Sequence, residues 1–401
     1  MGPRLTFLAA LAACAACDRV PQEAIESCQA QVRVLPAKTD ILVVVDDSGS
    51  MAEEQENLRE NLGVFVTALA ASPVPHDFQI GVTTTDVVDF DGFTVDYPWW
   101  LEPYLDYPYT VPYPRGALVA VDPAARTDAS KVGKILYDPT NGFGGTRILV
   151  TSSSTLVPDF EANVLLGTLG SSKEQPFRSV ELALTERVAD AANAGFLRPG
   201  ARLGLIVLTD EDDCSEWTLP FLGDSNDHCH DPAIKAQLPS PSAFLDFLDG
   251  EIAGEERSPV VAVIAGFDQE TLAPTGCATS FDAPTRLASL LDAMGPDRSF
   301  RGSICDQSFG PSLERIAELL VPQTVPLDGA PSDSRMLVVA VDKAGGGRIA
   351  CTIVADGDPA SAQAGAVYTP PRGGRPATLT FQNACRLAAG DHVELSIVCA
   401  R

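Results

Sequence analysis

The chain has 401 residues, 45% of them hydrophobic, and a formal net charge of −26 at neutral pH. That length suits two or three domains with room for a large core. So strong an acidic excess repels phosphate, which argues against nucleic acid as a partner and suits cations or basic surfaces.

Residues 1–13 begin with Arg4 as a short positive region and continue as the apolar run Leu5 to Ala13. This is a targeting segment, far too short to span a bilayer as a stable helix. Residues 14–38 read as a tether rather than a core element. Ile41 to Asp46 is a short, mostly apolar run, as expected for a strand buried on both faces. Met51 to Ala70 follows as a helix, with Leu58, Leu62, Phe65, Val66 and Leu69 at helical spacing and Glu53, Glu54 and Glu56 favouring its first turns. Phe78 to Thr84 is a second strand. Residues 88–165 hold Trp99, Trp100 and most of the tyrosines, interspersed with Pro and Gly. They read as an insertion of loops and short strands, Arg147 to Thr151 among them, whose aromatic residues are either a binding face or local packing.

Glu174 to Asn193 is a helix with Phe177, Val180, Leu184 and Val188 on one face. Leu203 to Thr209 is another buried strand. Ser240 and Pro241 open a helix reaching Leu248. Val260 to Ala265 is a strand, and Pro284 to Met294 and Pro311 to Leu320 are helices. Strands alternating with helices imply an α/β domain, a mostly parallel sheet covered on both faces, over residues 39–322. From 323 to 401 the pattern becomes β-rich. Met336 to Val341, Ile349 to Val354, Ala377 to Phe381 and Val393 to Val398 read as strands separated by Gly/Pro turns, forming a small C-terminal β domain.

The apolar leader ends in Leu11-Ala12-Ala13-Cys14, which resembles the lipobox of bacterial lipoproteins. The resemblance implies cleavage before Cys14 and a lipid on that residue, hence a cell-envelope location on the outer membrane or cell surface, or facing the periplasm. An ordinary cleaved signal peptide is the alternative, and Cys17 fits the pattern less well. Ten cysteines in an exported chain point to disulfides. The closest-spaced pairs in the main domain are Cys214 with Cys229 and Cys277 with Cys305. Cys351, Cys385 and Cys399 sit together in the tail, and spacing leaves their connectivity open.

The motif with the most chemistry is Val45-Asp46-Asp47-Ser48-Gly49-Ser50-Met51. It follows a buried strand and precedes a helix, at the sheet edge where ligands bind in open α/β folds. Alternate residues of an extended loop can aim the oxygens of Asp46, Ser48 and Ser50 at one point. Such an all-oxygen set suits a hard cation, Mg²⁺ first, with Ca²⁺ or Mn²⁺ as alternatives.

These residues resemble the metal-ion-dependent adhesion site of von Willebrand factor type A domains, a Rossmann-like fold, and the order of elements agrees over residues 39–322. The resemblance implies direct ligation by Ser48 and Ser50, direct or water-mediated ligation by Asp46, and a later strand-end Asp holding the ion through water, here Asp210. It also implies a partner, a protein or another envelope ligand, completing the coordination with a carboxylate. The family places a Thr before the central helix; here Glu174 lies near that place, with Thr168, Ser171 and Ser172 close by. Glu174 is either a third carboxylate at the ion or a first-turn helix residue favoured by the dipole. Together with Ile80–Asp86 and Leu208–Ser215, the motif also resembles a group of bacterial envelope lipoproteins to which no enzymatic activity is generally attributed.

Three weaker candidates remain. Asp89, Asp91 and Gly92 match part of a calcium loop whose first and twelfth positions, Val87 and Pro98, lack acids. His228-Cys229-His230 could take a transition metal, against a disulfide at Cys229. Glu211, Asp212 and Asp213 read as a solvated rim or a second cation site. No hydrolase or phosphate-loop motif is present, so binding is expected rather than catalysis. A metal-assisted hydrolase, or a structural envelope protein with a vestigial site, are the alternatives.

Overall fold

Ile41–Val45 has no polar face, and the fold gives it an apolar layer on either side. The structure, a computed structural model, describes residues 32–87, 93–95, 109–111, 114–120, 146–168, 170–216, 232–252, 259–331 and 333–398. In chain order the elements are β1 (Arg33–Val34), β2 (Ala37–Val45), α1 (Ala52–Ala70), β3 (His76–Thr84), β4 (Phe93–Val95), β5 (Tyr109–Val111), β6 (Leu149–Val150), α2 (Leu156–Asn163), α3 (Pro176–Leu184), α4 (Glu186–Ala189) and β7 (Arg202–Leu208). There follow α5 (Pro232–Lys235), α6 (Pro241–Phe247), β8 (Val260–Ala265), α7 (Thr285–Met294), β9 (Ser299–Ser303) and α8 (Gly310–Leu320). The chain ends in β10 (Thr324–Asp328), β11 (Leu337–Asp342), β12 (Arg348–Cys351), β13 (Ile353–Ala355), β14 (Ala366–Thr369), β15 (Ala377–Phe381) and β16 (His392–Ile397).

The central sheet has the order β6-β3-β2-β7-β8-β9. Its neighbours run parallel, except that β6 pairs antiparallel with β3 at the edge. Alternation along β2 divides its side chains between two layers: Ile41, Val43 and Val45 pack with α1, α2 and α8, while Leu42 and Val44 pack with α3, α6 and α7. The chain passes from β2 to β3 on one side, then returns to β7 on the other. Strand order therefore reverses at β2, and the loops beyond the strand ends flank a crevice there. Val45 is in register with both Thr84 and Leu208, so Asp46, Thr85 and Thr209 leave the sheet at one level.

A second unit stacks the sheet β1-β10-β15-β14-β13 against the sheet β12-β11-β16. Val325, Leu327, Val339, Val341, Tyr368 and Phe381 fill its core. This revises the boundaries read from sequence. Arg33–Val34, at the end of the supposed tether, pairs with β10 and belongs to the fold. Residues 149–163, within the stretch read as an insertion, supply the edge strand β6 and the helix α2, where Phe160 meets Phe65 of α1 with ring centroids 6.4 Å apart.

Cys351 and Cys385 are bonded across the second unit, enclosing a loop with a sequence separation of 34. Closing a loop of that length in the unfolded chain is worth about 4 kcal/mol. A Cys351→Ser/Cys385→Ser variant should unfold at correspondingly lower urea concentration, and an unchanged midpoint would show that the bond contributes nothing.

Candidate cation site

Beyond β2 the backbone turns at once. The Ser48 amide donates to Asp46 Oδ1 at 2.8 Å, and the Asp46 amide donates to the Leu208 carbonyl at 2.9 Å. Asp46 Oδ2 accepts the Thr209 hydroxyl at 2.7 Å, so both carboxylate oxygens are oriented before any ligand arrives. The Ser48 and Ser50 hydroxyl oxygens lie 3.4 Å apart, and Ser50 hydrogen-bonds the Asp210 carboxylate. Gln55 of α1 fixes the floor: its amide nitrogen donates to the carbonyls of Asp46 and Gly167 at 3.0 and 2.8 Å.

The segment before α3 closes the crevice. The Gly170 amide donates to the Asp47 carbonyl at 2.8 Å, and a Cβ on Gly170 would stand 2.6 Å from Asp47 Oδ1, so glycine is required for this approach. Glu174 lies ahead of the helix, not in its first turn, because Pro176 is the first helical residue. It is fully buried, its Oε2 accepts the Thr85 hydroxyl, and its carbonyl accepts the Cys214 amide at 2.7 Å. The predicted helix over 174–193 is also broken at Thr185, between α3 and α4.

The electrostatics of this crevice are one-sided. Burial, then the charge of Asp210, pushes the Asp46 carboxyl up to about 7. Burial raises Asp210 as well, against the Ser50 hydrogen bond. Glu174 is raised well above the carboxylate range by burial, then by the charges of Asp46, Glu211 and Asp86. Asp86 is pushed up to about 7 by burial, although the Ser171 amide at 2.8 Å and the Asp47 side chain favour its ionised form. No basic side chain stands among the influences on these four carboxyls. The buried Lys173 is paired with Glu216, and Arg286 with Asp213.

The structure thus brings Asp46, Ser48, Ser50 and Asp210 together and sets Glu174 within electrostatic reach of Asp46. Two buried oxygens there, Asp210 Oδ1 and Glu174 Oε1, have no hydrogen-bond partner. Among the described residues, no group of three or more His, Cys, Asp or Glu side chains could hold a metal by itself. A cation here would draw on the serine hydroxyls and on water as well. In chemistry the set fits a hard divalent ion: unpartnered carboxylate oxygens, two hydroxyls and, among the described residues, no basic group named in the shifts of these carboxyls. Asp46, Ser48, Ser50 and Asp210 would hold it, and the ion would supply positive charge open to an oxygen from a partner.

The acidic run after Asp210 is not a solvated rim. Asp212 accepts the amides of Arg286 and Leu287 at 2.9 and 3.2 Å, capping α7, and Asp213 accepts the Phe177 amide at the start of α3. Cys277 and Cys305 are bonded, with Cα atoms 6.2 Å apart, and Cys214 is buried and disulfide-bonded. Cys14, Cys229, the His228 cluster, and Asp89, Asp91 and Gly92 lie outside the described residues. Sequence reasoning assigned no role to Gln55, Thr85, Asp86 or Thr209. The Thr83-Thr84-Thr85-Asp86 run at the end of a strand parallel to β2 was the available signal for two of them.

No family model matches the chain, and no curated protein matches it. Among solved structures, it is similar to a von Willebrand factor type A protein from Catenulispora acidiphila, at 15% identity and TM-score 0.34, over 91% of this chain and 58% of that one. It is also similar to proximal thread matrix protein 1 from the mussel byssus, at 11% identity and TM-score 0.35, over 84% of this chain and 65% of that one. The chain therefore spans less than two thirds of the length of either. These likenesses are distant, and the α/β class rests on the chain's own sheet order.

Proposed function

We propose that this is a binding protein of the von Willebrand factor type A kind, anchored to the cell envelope by a lipid on Cys14, that captures a partner through one divalent cation. The carrying observation is the buried Asp210 Oδ1, unpartnered beside Asp46 and two serine hydroxyls at the sheet's reversal point. Mg²⁺ is the ion proposed first, with Ca²⁺ or Mn²⁺ as alternatives. The partner is a protein or another envelope ligand whose oxygen completes the coordination. Capture is proposed rather than catalysis, since the described crevice sets no histidine or lysine near Asp46 or Asp210 to serve as a base.

Calorimetry with Mg²⁺ tests the site directly. Wild type should bind one equivalent and Asp46→Ala none, while both keep the same circular dichroism. Capture of envelope components should disappear with chelator and with Asp46→Ala. Equal Mg²⁺ binding by the two proteins would overturn the proposal, and turnover of a phosphoester by the Mg²⁺-loaded protein would favour a hydrolase instead.

A further inference from the structure

The loop between β8 and α7 ends against the cation site. Phe281 and Asp282 both donate their amides to the Asp210 carbonyl, at 2.8 and 3.1 Å. The residues just before Phe281 form a closed turn: the Ser280 hydroxyl accepts the Cys277 amide at 2.8 Å and donates to the Cys277 carbonyl at 3.1 Å. Cys277 is bonded in turn to Cys305, just beyond β9. A short path thus runs from the end of β9, through Cys277 and Ser280, to the residue whose carboxylate would hold the ion.

The bond is chemically unsymmetrical. Both cysteines are half-buried, and Thr279 beside them is exposed. Cys305 Sγ accepts the Thr279 amide and the Thr279 hydroxyl, each at 3.2 Å. A disulfide sulfur carries no proton, so the hydroxyl is the donor. Cys277 Sγ has the Ser303 hydroxyl at 3.8 Å, and that hydroxyl also donates to the Phe267 carbonyl. Two close donors on one sulfur favour a thiolate there, and a sulfur stabilised as a thiolate leaves faster. In the Cys351–Cys385 bond, by contrast, Cys385 is fully buried.

We propose that Cys277–Cys305 is a thiol–disulfide exchange site for a dithiol reductant, and that its opening weakens cation binding at Asp210. The second half rests on the cation site proposed above; the first does not. The attacking thiolate forms a bond to Cys277 Sγ, the Cys277–Cys305 bond breaks, and Cys305 departs as a thiolate held by Thr279 before taking a proton from water. The reductant's second thiolate then attacks its own first sulfur and releases Cys277, which is protonated in turn. Two electrons pass to the protein, and the reductant ends as its own disulfide. With the bond open, the Cys277–Ser280 turn loses its anchor beside β9, and the amides seated on Asp210 lose their fixed position.

The exchange is tested on folded protein treated with dithiothreitol, quenched with iodoacetamide and mapped by peptide mass spectrometry. Cys277 and Cys305 should be labelled before Cys351 and Cys385. With reduced glutathione instead, the mixed disulfide should sit on Cys277. Thr279→Val keeps the amide and removes the hydroxyl. It should slow reduction severalfold with an unchanged urea midpoint, a change that a merely structural role would not produce. In calorimetry, Cys277→Ser/Cys305→Ser should bind Mg²⁺ about tenfold more weakly than wild type, the scale of one or two fixed hydrogen bonds, with the same circular dichroism. Wild type opened by dithiothreitol should do the same. Cys351→Ser/Cys385→Ser, which opens the bond of the other unit, should keep the wild-type affinity. Labelling of Cys277 and Cys305 no earlier than Cys351 and Cys385, glutathione on Cys305, or a wild-type rate in Thr279→Val would overturn the exchange site. Equal Mg²⁺ affinity with the Cys277–Cys305 bond open and closed would overturn the coupling while leaving the cation site standing. Absence of Mg²⁺ binding to wild type would overturn the cation site and the coupling together, with the order of labelling still deciding the exchange.

Discussion

Asp46→Asn is expected to stabilise the metal-free protein near neutral pH while removing its response to Mg²⁺. Asn keeps an oxygen for the Ser48 amide and an amide group for Thr209, so the turn after β2 persists. What it removes is a charge that the fold disfavours. Burial and the Asp210 charge carry the Asp46 carboxyl from 3.8 up to about 7. Folded protein therefore holds a proton that the unfolded chain releases. Stability is greatest below the unfolded value of 3.8 and falls as pH rises toward about 7, after which it is level. The same sign holds for Asp86, which rises to about 7 over the same interval. A carboxyl displaced this far withdraws on the order of 4 kcal/mol at neutral pH.

The variant should accordingly melt several degrees above wild type at about pH 8, at roughly 2–4 °C per kcal/mol, and the two curves should converge near pH 4. Saturating Mg²⁺ should reverse the order. A ligand at about a hundred times its dissociation constant adds about 2.7 kcal/mol to a protein that binds it, and the variant should gain nothing. Thermal melts at two pH values, with and without Mg²⁺, supply the measurement. If metal-free Asp46→Asn melts below wild type at both pH values, or gains as much from Mg²⁺, Asp46 is a structural group and not the centre of a charged site.

The parts of this site that are contiguous in the chain were legible. Asp46, Ser48 and Ser50 follow one another after a strand whose apolar run is unmistakable, and Asp210 ends a run of the same kind. Gln55, Thr85 and Thr209 were not legible, because their roles depend on the register that sets Val45 beside Thr84 and Leu208. Glu174 was found by its place and misjudged in its setting. Apolar spacing from Phe177 onward marks a helix face without marking its first residue, and Pro176 carried that information. β9 and β14 escaped because Ser299–Ser303 has no regular alternation and Ala366–Thr369 is only four residues long. Asp212 and Asp213 looked solvated, as acidic runs usually are. Their burial depends on donors from α3 and α7, which sequence separates from them widely.

Arg286→Met should be among the most destabilising substitutions outside the cation site, for a reason that also touches the site. Arg286 reaches Asp213 through Nε and Nη2 at 3.1 and 2.9 Å and donates to the Pro239 carbonyl at 2.7 Å. Asp213 is buried and also accepts the Phe177 amide and the Ser215 hydroxyl. Removing one partner of a buried pair leaves the other charge uncompensated, at a cost of about 3–5 kcal/mol. Met keeps much of the apolar stem, so the loss reports the charge rather than a cavity. Burial already holds the Asp213 carboxyl above its ordinary value, with Arg286 opposing the shift. Without Arg286 that carboxyl rises further. The penalty relative to wild type is then greatest at alkaline pH and shrinks as pH falls toward the ordinary carboxylate range, where Asp213 is protonated in both states. Urea unfolding should show a larger deficit at about pH 8 than at about pH 5, and Asp213→Asn in the same chain should restore part of the lost stability. Because Asp213 lies three residues beyond Asp210, the single variant should also bind Mg²⁺ more weakly than wild type. A deficit independent of pH and unrelieved by Asp213→Asn would mean that Arg286 matters only for its packing.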